Sequence, residues 1–234
     1  MNLKLLHIFL LSTAGTFLLC TPFINTVELA NGLVTGKMCW FHLAMLFFSV
    51  CVFFVMLTKK GTVIAFTFSD PLVSFFAGGV LITYKWNLNP EPEKLIFAGQ
   101  LVILWFLLRY VLTAYREFKF FFLFVLMFTG LIEAVWGMQQ LHGYSHSNHS
   151  LFRLTGSFFN PGPYSGYIAV ILPVCLWTAL RFQKGMHYFA WICVGAILIV
   201  LPAGMSRSAW MAAVVACGCI GRNGSDGKKR KLYI

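Results

Sequence analysis

Apolar residues run in blocks of about twenty positions, each closed by a charge, a proline or a glycine cluster, and the blocks repeat from end to end of the 234-residue chain. A helix rises ~1.5 Å per residue, so roughly 20 apolar residues cross a hydrocarbon core of ~30 Å. Eight blocks reach or approach that length: Lys4 to Ile24, Val34 to Leu57, Val63 to Tyr84, Leu95 to Leu112, Phe120 to Gln140, Tyr164 to Phe182, Met186 to Ala203 and Ser208 to Ile220. The last is short and reads as tilted, re-entrant or unfinished. No internal repeat or heptad is visible. The pattern predicts an all-α fold, a polytopic transmembrane helical bundle of about eight spans, with residues 1–234 forming a single integral membrane domain that ends in a basic tail over 221–234.

The charges between the blocks orient this bundle. Eight antiparallel spans divide the connections into two sets, and cytoplasmic connections carry the excess of Lys and Arg. One set holds Lys4, Lys59, Lys60, Arg109, Arg116, Lys119, Arg181, Lys184, Arg222, Lys228, Lys229, Arg230 and Lys231; the other holds Lys37, Lys85, Lys94, Arg153 and Arg207. Thirteen against five places both termini in the cytoplasm. Arg153 and Arg207, distant in sequence, then share the outer face.

Composition agrees with the pattern. Apolar residues make up 59% of the chain and charged residues 11%, a balance that excludes a soluble enzyme and a disordered chain. A formal charge of +11 would point to nucleic acid in a soluble protein, but the cations are dispersed between apolar runs, so no nucleic-acid partner is expected. Seven cysteines lie in or beside apolar runs with no CxxC spacing and read as packing or lipid-facing residues.

Of the outer connections only Leu141 to Pro163 is long. It carries His142, His146 and His149, then RLTGSFFNPGPYSGY, Arg153 to Tyr167. Asn160-Pro161-Gly162-Pro163 is a strong turn signal just before the helix expected at Tyr164, and free amides at that helix start would favour an anion. MSRSAW, Met205 to Trp210, sets Arg207 at the mouth of an apolar hairpin, flanked by Ser206 and Ser208, which are placed to cap the next helix or to donate to the same anion. Two arginines facing one site would suit a pyrophosphate, because guanidinium offers a permanent charge and bidentate hydrogen bonds. Ordinary interface anchoring is the plain alternative for both.

Asp70 and Glu133 fall inside expected spans and need partners there; bonding within the bundle is the simpler reading of each. His146 and His149 have metal-like spacing only on a helix, which the surrounding Ser, Asn and Gly oppose, so no metal is expected. Asn148-His149-Ser150 fits the glycosylation sequon by chance.

At these two motifs the chain resembles the O-antigen ligase and O-antigen polymerase superfamily of bacterial membrane glycosyltransferases. Members open a span with an Arg followed by Gly-(Ser/Thr)-Phe-x-Asn-Pro, matched by Arg153, Gly156, Ser157, Phe158, Asn160 and Pro161, and carry a later Ser-Arg-(Gly/Ser)-Ala, matched by Ser206, Arg207, Ser208 and Ala209. The likeness is concentrated in residues 120–213, and Gly162 departs from it where many members have Asn.

The resemblance implies transfer of a glycan from an undecaprenyl-pyrophosphate carrier to an acceptor hydroxyl of a glycan, lipid or protein, at the outer face of the bacterial inner membrane. It assigns the pyrophosphate to Arg153 and Arg207, with Gly156, Ser157, Asn160 and Ser206 in support, and requires no cofactor. The family continues into a long outer loop with an essential His, so the chain reads as an N-terminal fragment in which His146 or His149 would have to serve as catalytic base. The alternative is a non-catalytic transporter or flippase-like protein for lipid-linked sugars, holding pyrophosphate with the same arginines.

The orientation is open to direct test. An impermeant thiol reagent applied to intact spheroplasts should label a cysteine introduced near Ser147 and spare one beside Lys60; the reverse pattern would overturn the assignment.

Overall fold

The computed structural model describes residues 3–26, 31–59, 61, 67–87 and 91–226, with side chains as far as residue 220. Lys60 and the Lys228–Lys231 cations of the tail lie outside the described residues. Every regular element among those described is helical: α1 (Leu3–Leu19), α2 (Gly32–Thr58), α3 (Ser69–Trp86), α4 (Pro92–Ala114), α5 (Arg116–Leu141), α6 (Pro161–Arg181), α7 (Lys184–Val200) and α8 (Arg207–Asp226), with short 3-10 turns at Thr21–Phe23 and Pro202–Gly204. Four of these, α2, α4, α5 and α6, are long and apolar enough to cross a membrane, and α1, α7 and the Arg207–Ile220 part of α8 are shorter apolar helices. The protein is a membrane protein by this measure.

Prolines account for most differences between the expected and observed helix ends. Pro22 has no N–H to return to the carbonyl of Leu18, and α1 stops at Leu19 rather than near Ile24. Pro202 limits α7 in the same way. At helix starts proline has the opposite effect, because the first-turn N–H groups have no partner to lose. α6 therefore begins at Pro161, three residues before Tyr164, and the Asn160–Pro163 stretch read as a turn is the entrance and first turn of a helix. α3 begins at Ser69 with Pro71 in its first turn.

That shift changes the meaning of Asp70. Instead of lying mid-span it occupies the first turn of α3, where Oδ2 accepts the Thr67 amide at 2.8 Å and Oδ1 pairs with Arg109 of α4. Trp105 Nε1 also donates to Oδ1, at 3.3 Å. Arg109, assigned above to a cytoplasmic connection, is thus inside α4 and joined to α3. A carboxylate at a helix start and a cation on the neighbouring helix offset the desolvation of both.

By internal contacts the chain divides into two compact units, Met1–Leu18 with Cys39–Phe121, and Leu19–Met38 with Phe122–Ile234. In the first, Leu18, Phe41, Ala44 and Met45 form a core, and Trp40 stacks on Phe17 at 5.0 Å between ring centres. α2 is nearly apolar all round. Its Phe48, Val52 and Val55 are buried, whereas Leu43, Leu46, Val50, Phe53 and Leu57 form an uncovered stripe that suits lipid rather than water.

In the second unit α6 is central and packs against both α7 and α8. Its Ile168, Ile171, Leu172 and Cys175 meet Cys193, Val194 and Ile197 of α7 and Ala213 of α8 in one continuous core. Gly130 lets α5 come close to α6: a methyl group there would sit 2.8 Å from the Ile171 side chain. The seven cysteines are all free, three of them buried. This packing fixes α6, whose first residue, Pro161, ends the segment that carries Arg153.

Candidate functional site

One face of α5 carries the non-aliphatic residues Thr129, Glu133, Gly137 and Gln140, spaced at i, i+4, i+8 and i+11, and all four are buried. This stripe grips the segment between α5 and α6. The Gln140 amide uses both ends: Oε1 accepts the backbone N–H of Thr155 at 2.9 Å and of Gly156 at 2.7 Å, while Nε2 donates to the carbonyls of His146 at 3.0 Å and Gly156 at 3.1 Å. One helical turn pair earlier, Glu133 Oε2 accepts the Ser157 amide at 3.0 Å. Three consecutive buried N–H groups are thus satisfied by two side chains of one helix.

Gly156 is required at the centre of this grip. Its φ is +55°, and a β-carbon there would collide with Glu133 Oε2 and with the Tyr164 ring. Tyr164, fully buried, donates through its hydroxyl to the Glu133 carbonyl at 3.2 Å, and Gly137 leaves room for that hydroxyl. Ser157 Oγ donates to the Pro22 carbonyl at 2.6 Å. Asn148 closes the other side, donating from Nδ2 to the carbonyls of Gly156 at 3.1 Å and Phe158 at 3.0 Å. Its Nδ2 group is committed to these bonds.

Glu133 itself is wholly buried, with Oε1 lacking any hydrogen bond among the described residues. The positive charge acting on it is the Lys37 ammonium, which bonds the Ile24 carbonyl at 2.7 Å and lies over the Phe158 ring at 5.7 Å. Lys37, counted above among the outer connections, is in the second turn of α2.

The gripped segment leaves an open polar cavity of about 580 Å³ between residues 140 and 153. His142, His146, His149 and Arg153 all line it, together with the serines of the same loop, and among the described residues no carboxylate does. Arg153 is exposed and makes no hydrogen bond or ion pair among the described residues. The loop is not helical, so the two-residue gap between His146 and His149 does not produce a helical ligand pair, and no metal-binding cluster occurs among the described residues.

Arg207 opens α8 and is exposed; it is not among the residues lining that cavity. Ser206 caps the helix, its Oγ accepting the Ala209 amide at 3.4 Å. The preceding turn is tied to the α6 start, because Ser165 Oγ donates to the Gly204 carbonyl at 2.9 Å. Both motifs therefore attach to the N-terminal end of α6. That helix start is poor in donors: two of its first four positions, Pro161 and Pro163, have no N–H, and Asn160 makes no side-chain cap. The helix start therefore offers few free amides for the anion expected there from the sequence.

Gln140, Asn148, Tyr164 and Lys37 were not singled out as site residues, and Glu133 was expected only to bond within the bundle, as it does to the Ser157 amide; the i, i+4, i+8, i+11 stripe on α5 was the available signal for Gln140. No protein-family model, curated protein or solved structure matches the chain.

The grip makes a measurable demand. Gln140→Leu keeps the volume but leaves the Thr155 and Gly156 amides buried without acceptors, at ~1–3 kcal/mol each. It should lower the thermal unfolding midpoint in detergent markedly, as should Gly156→Ala, while His142→Ala at an exposed position should not. An unchanged midpoint for Gln140→Leu would refute the grip.

Proposed function

We propose that this chain transfers a glycan from undecaprenyl pyrophosphate to an acceptor hydroxyl of a glycan, lipid or protein, as a membrane glycosyltransferase of the O-antigen ligase or polymerase type, at the outer face of the bacterial inner membrane. The observation that carries the reading is Arg153: a guanidinium with no partner among the described residues, at the rim of a polar cavity that no described carboxylate lines, on a segment whose backbone is held by Glu133 and Gln140. A fixed cation stabilises charge that develops on a departing pyrophosphate without reorganising during the reaction.

In this scheme the acceptor oxygen forms a bond to the anomeric carbon as the bond to the pyrophosphate oxygen breaks, and the hydroxyl proton passes to a base. His146, exposed at the cavity, is the base offered by this segment. Arg207, attached to the same end of α6 through the Ser165–Gly204 bond, supplies a second cation toward the carrier. The motif resemblance in residues 153–161 and 206–209 supports the same assignment.

Arg153→Ala and Arg207→Ala should abolish glycan transfer in vivo without preventing membrane insertion. Lys keeps the charge but loses the planar fork, and charge-assisted bonds are about twice as strong as neutral ones, so Arg→Lys at either position should cost at least about tenfold. A glycan ladder normalised to protein in the membrane measures this. Wild-type transfer by Arg207→Ala at normal abundance would return Arg207 to interface anchoring.

A further inference from the structure

His149 differs from the other two imidazoles of the cavity in being held. Its Nδ1 accepts the Leu151 amide at 3.1 Å, its own amide donates to Ser147 Oγ at 3.2 Å, and its ring packs against Phe152 and Phe159 with centres 4.8 and 5.3 Å away. A ring nitrogen that accepts an N–H carries no proton itself, so the proton of the neutral imidazole resides on Nε2. Nε2 has no hydrogen-bond partner among the described residues, and His149 lines the cavity.

The geometry points to His149 as a fixed hydrogen-bond donor, its Nε2–H directed to an oxygen of a phosphate-bearing ligand in the cavity, and not as the proton-accepting base. This rests on the transfer reading for the identity of the ligand, and divides the labour there: Arg153 supplies charge, His149 supplies an oriented neutral donor, and proton removal falls to another group. His149 is in this sense a ligand-binding residue, and the Leu151 amide is what sets its tautomer.

Side-chain amides separate the two ring nitrogens. Gln places its NH₂ group near the position of Nε2, whereas Asn places it near Nδ1. The test uses the full chain in detergent, with ¹⁵N-labelled histidine and inorganic pyrophosphate as the probe. Long-range proton–nitrogen correlation should show His149 protonated on Nε2, assigned by loss of the signal in His149→Gln or, should that variant not fold, by coupling across the hydrogen bond to the Leu151 amide. Pyrophosphate affinity by calorimetry should stay within about threefold of wild type in His149→Gln and fall about tenfold in His149→Asn and His149→Ala, the loss typical of one hydrogen bond to a charged group. A proton on Nδ1 overturns the donor role and leaves the transfer reading standing. Equal affinity in wild type and His149→Ala overturns the contact with the ligand. Failure of the wild type to bind pyrophosphate overturns the ligand assignment and the transfer reading together.

Discussion

A run of three backbone N–H groups, Thr155 to Ser157, must be satisfied away from bulk water, and two side chains of α5 do it. These amides are buried, and each one left without an acceptor costs ~1–3 kcal/mol. Gln140 and Glu133 therefore dictate the path of the chain into α6. The Gly156 backbone can lie against Glu133 only without a side chain, Tyr164 then fills the space beside it, and Ser157 is brought to the Pro22 carbonyl. The loop becomes a built surface instead of a slack connection, and the exposed Arg153 and the histidines project from it around one cavity.

The same constraint decides which groups are available for chemistry. Asn148, Thr155, Ser157 and Ser206 are all engaged in holding backbone, so the polar residues that the motif offers are mostly structural. Pro161 and Pro163 stabilise the start of α6 while removing donors from it. What remains is cationic or imidazole: Arg153, His142, His146 and His149, with Arg207 on the turn that Ser165 ties to α6. A surface with a guanidinium, imidazoles, hydroxyls and, among the described residues, no carboxylate is what supports the proposed phosphorylated, hydroxyl-rich ligand.

The helical architecture was legible in the apolar blocks: the eight helices among the described residues occupy the eight expected blocks within a few residues at most ends, and four of them are long and apolar enough to cross a membrane. Several of the ends that moved did so at Pro22, Pro71, Pro161 and Pro202, where one proline stops a helix and another starts it, a difference set by position in the turn that block counting does not weigh. Arg153 and the histidines were legible as an outer loop rich in chemistry. Glu133 was legible as a carboxylate that must bond within the bundle, but its partner and the role of Gln140 were not, because a polar residue within an apolar run does not disclose its partner, and theirs are backbone atoms some 15 to 24 residues further on. Asp70 was misplaced for a related reason: its pairing with Arg109 spans 39 residues and depends on a helix start that periodicity alone did not locate.

The central claim, that α5 holds the Thr155–Ser157 backbone rigidly and thereby builds the cavity, is tested most directly by amide hydrogen exchange on the protein in nanodiscs, resolved residue by residue. The account predicts that the amides of Thr155, Gly156 and Ser157 exchange slowly and together, at rates close to those of the α6 core and far below those of exposed His146 and Ser150 in the same loop. Exchange of the three amides at the rate of those exposed neighbours would contradict it.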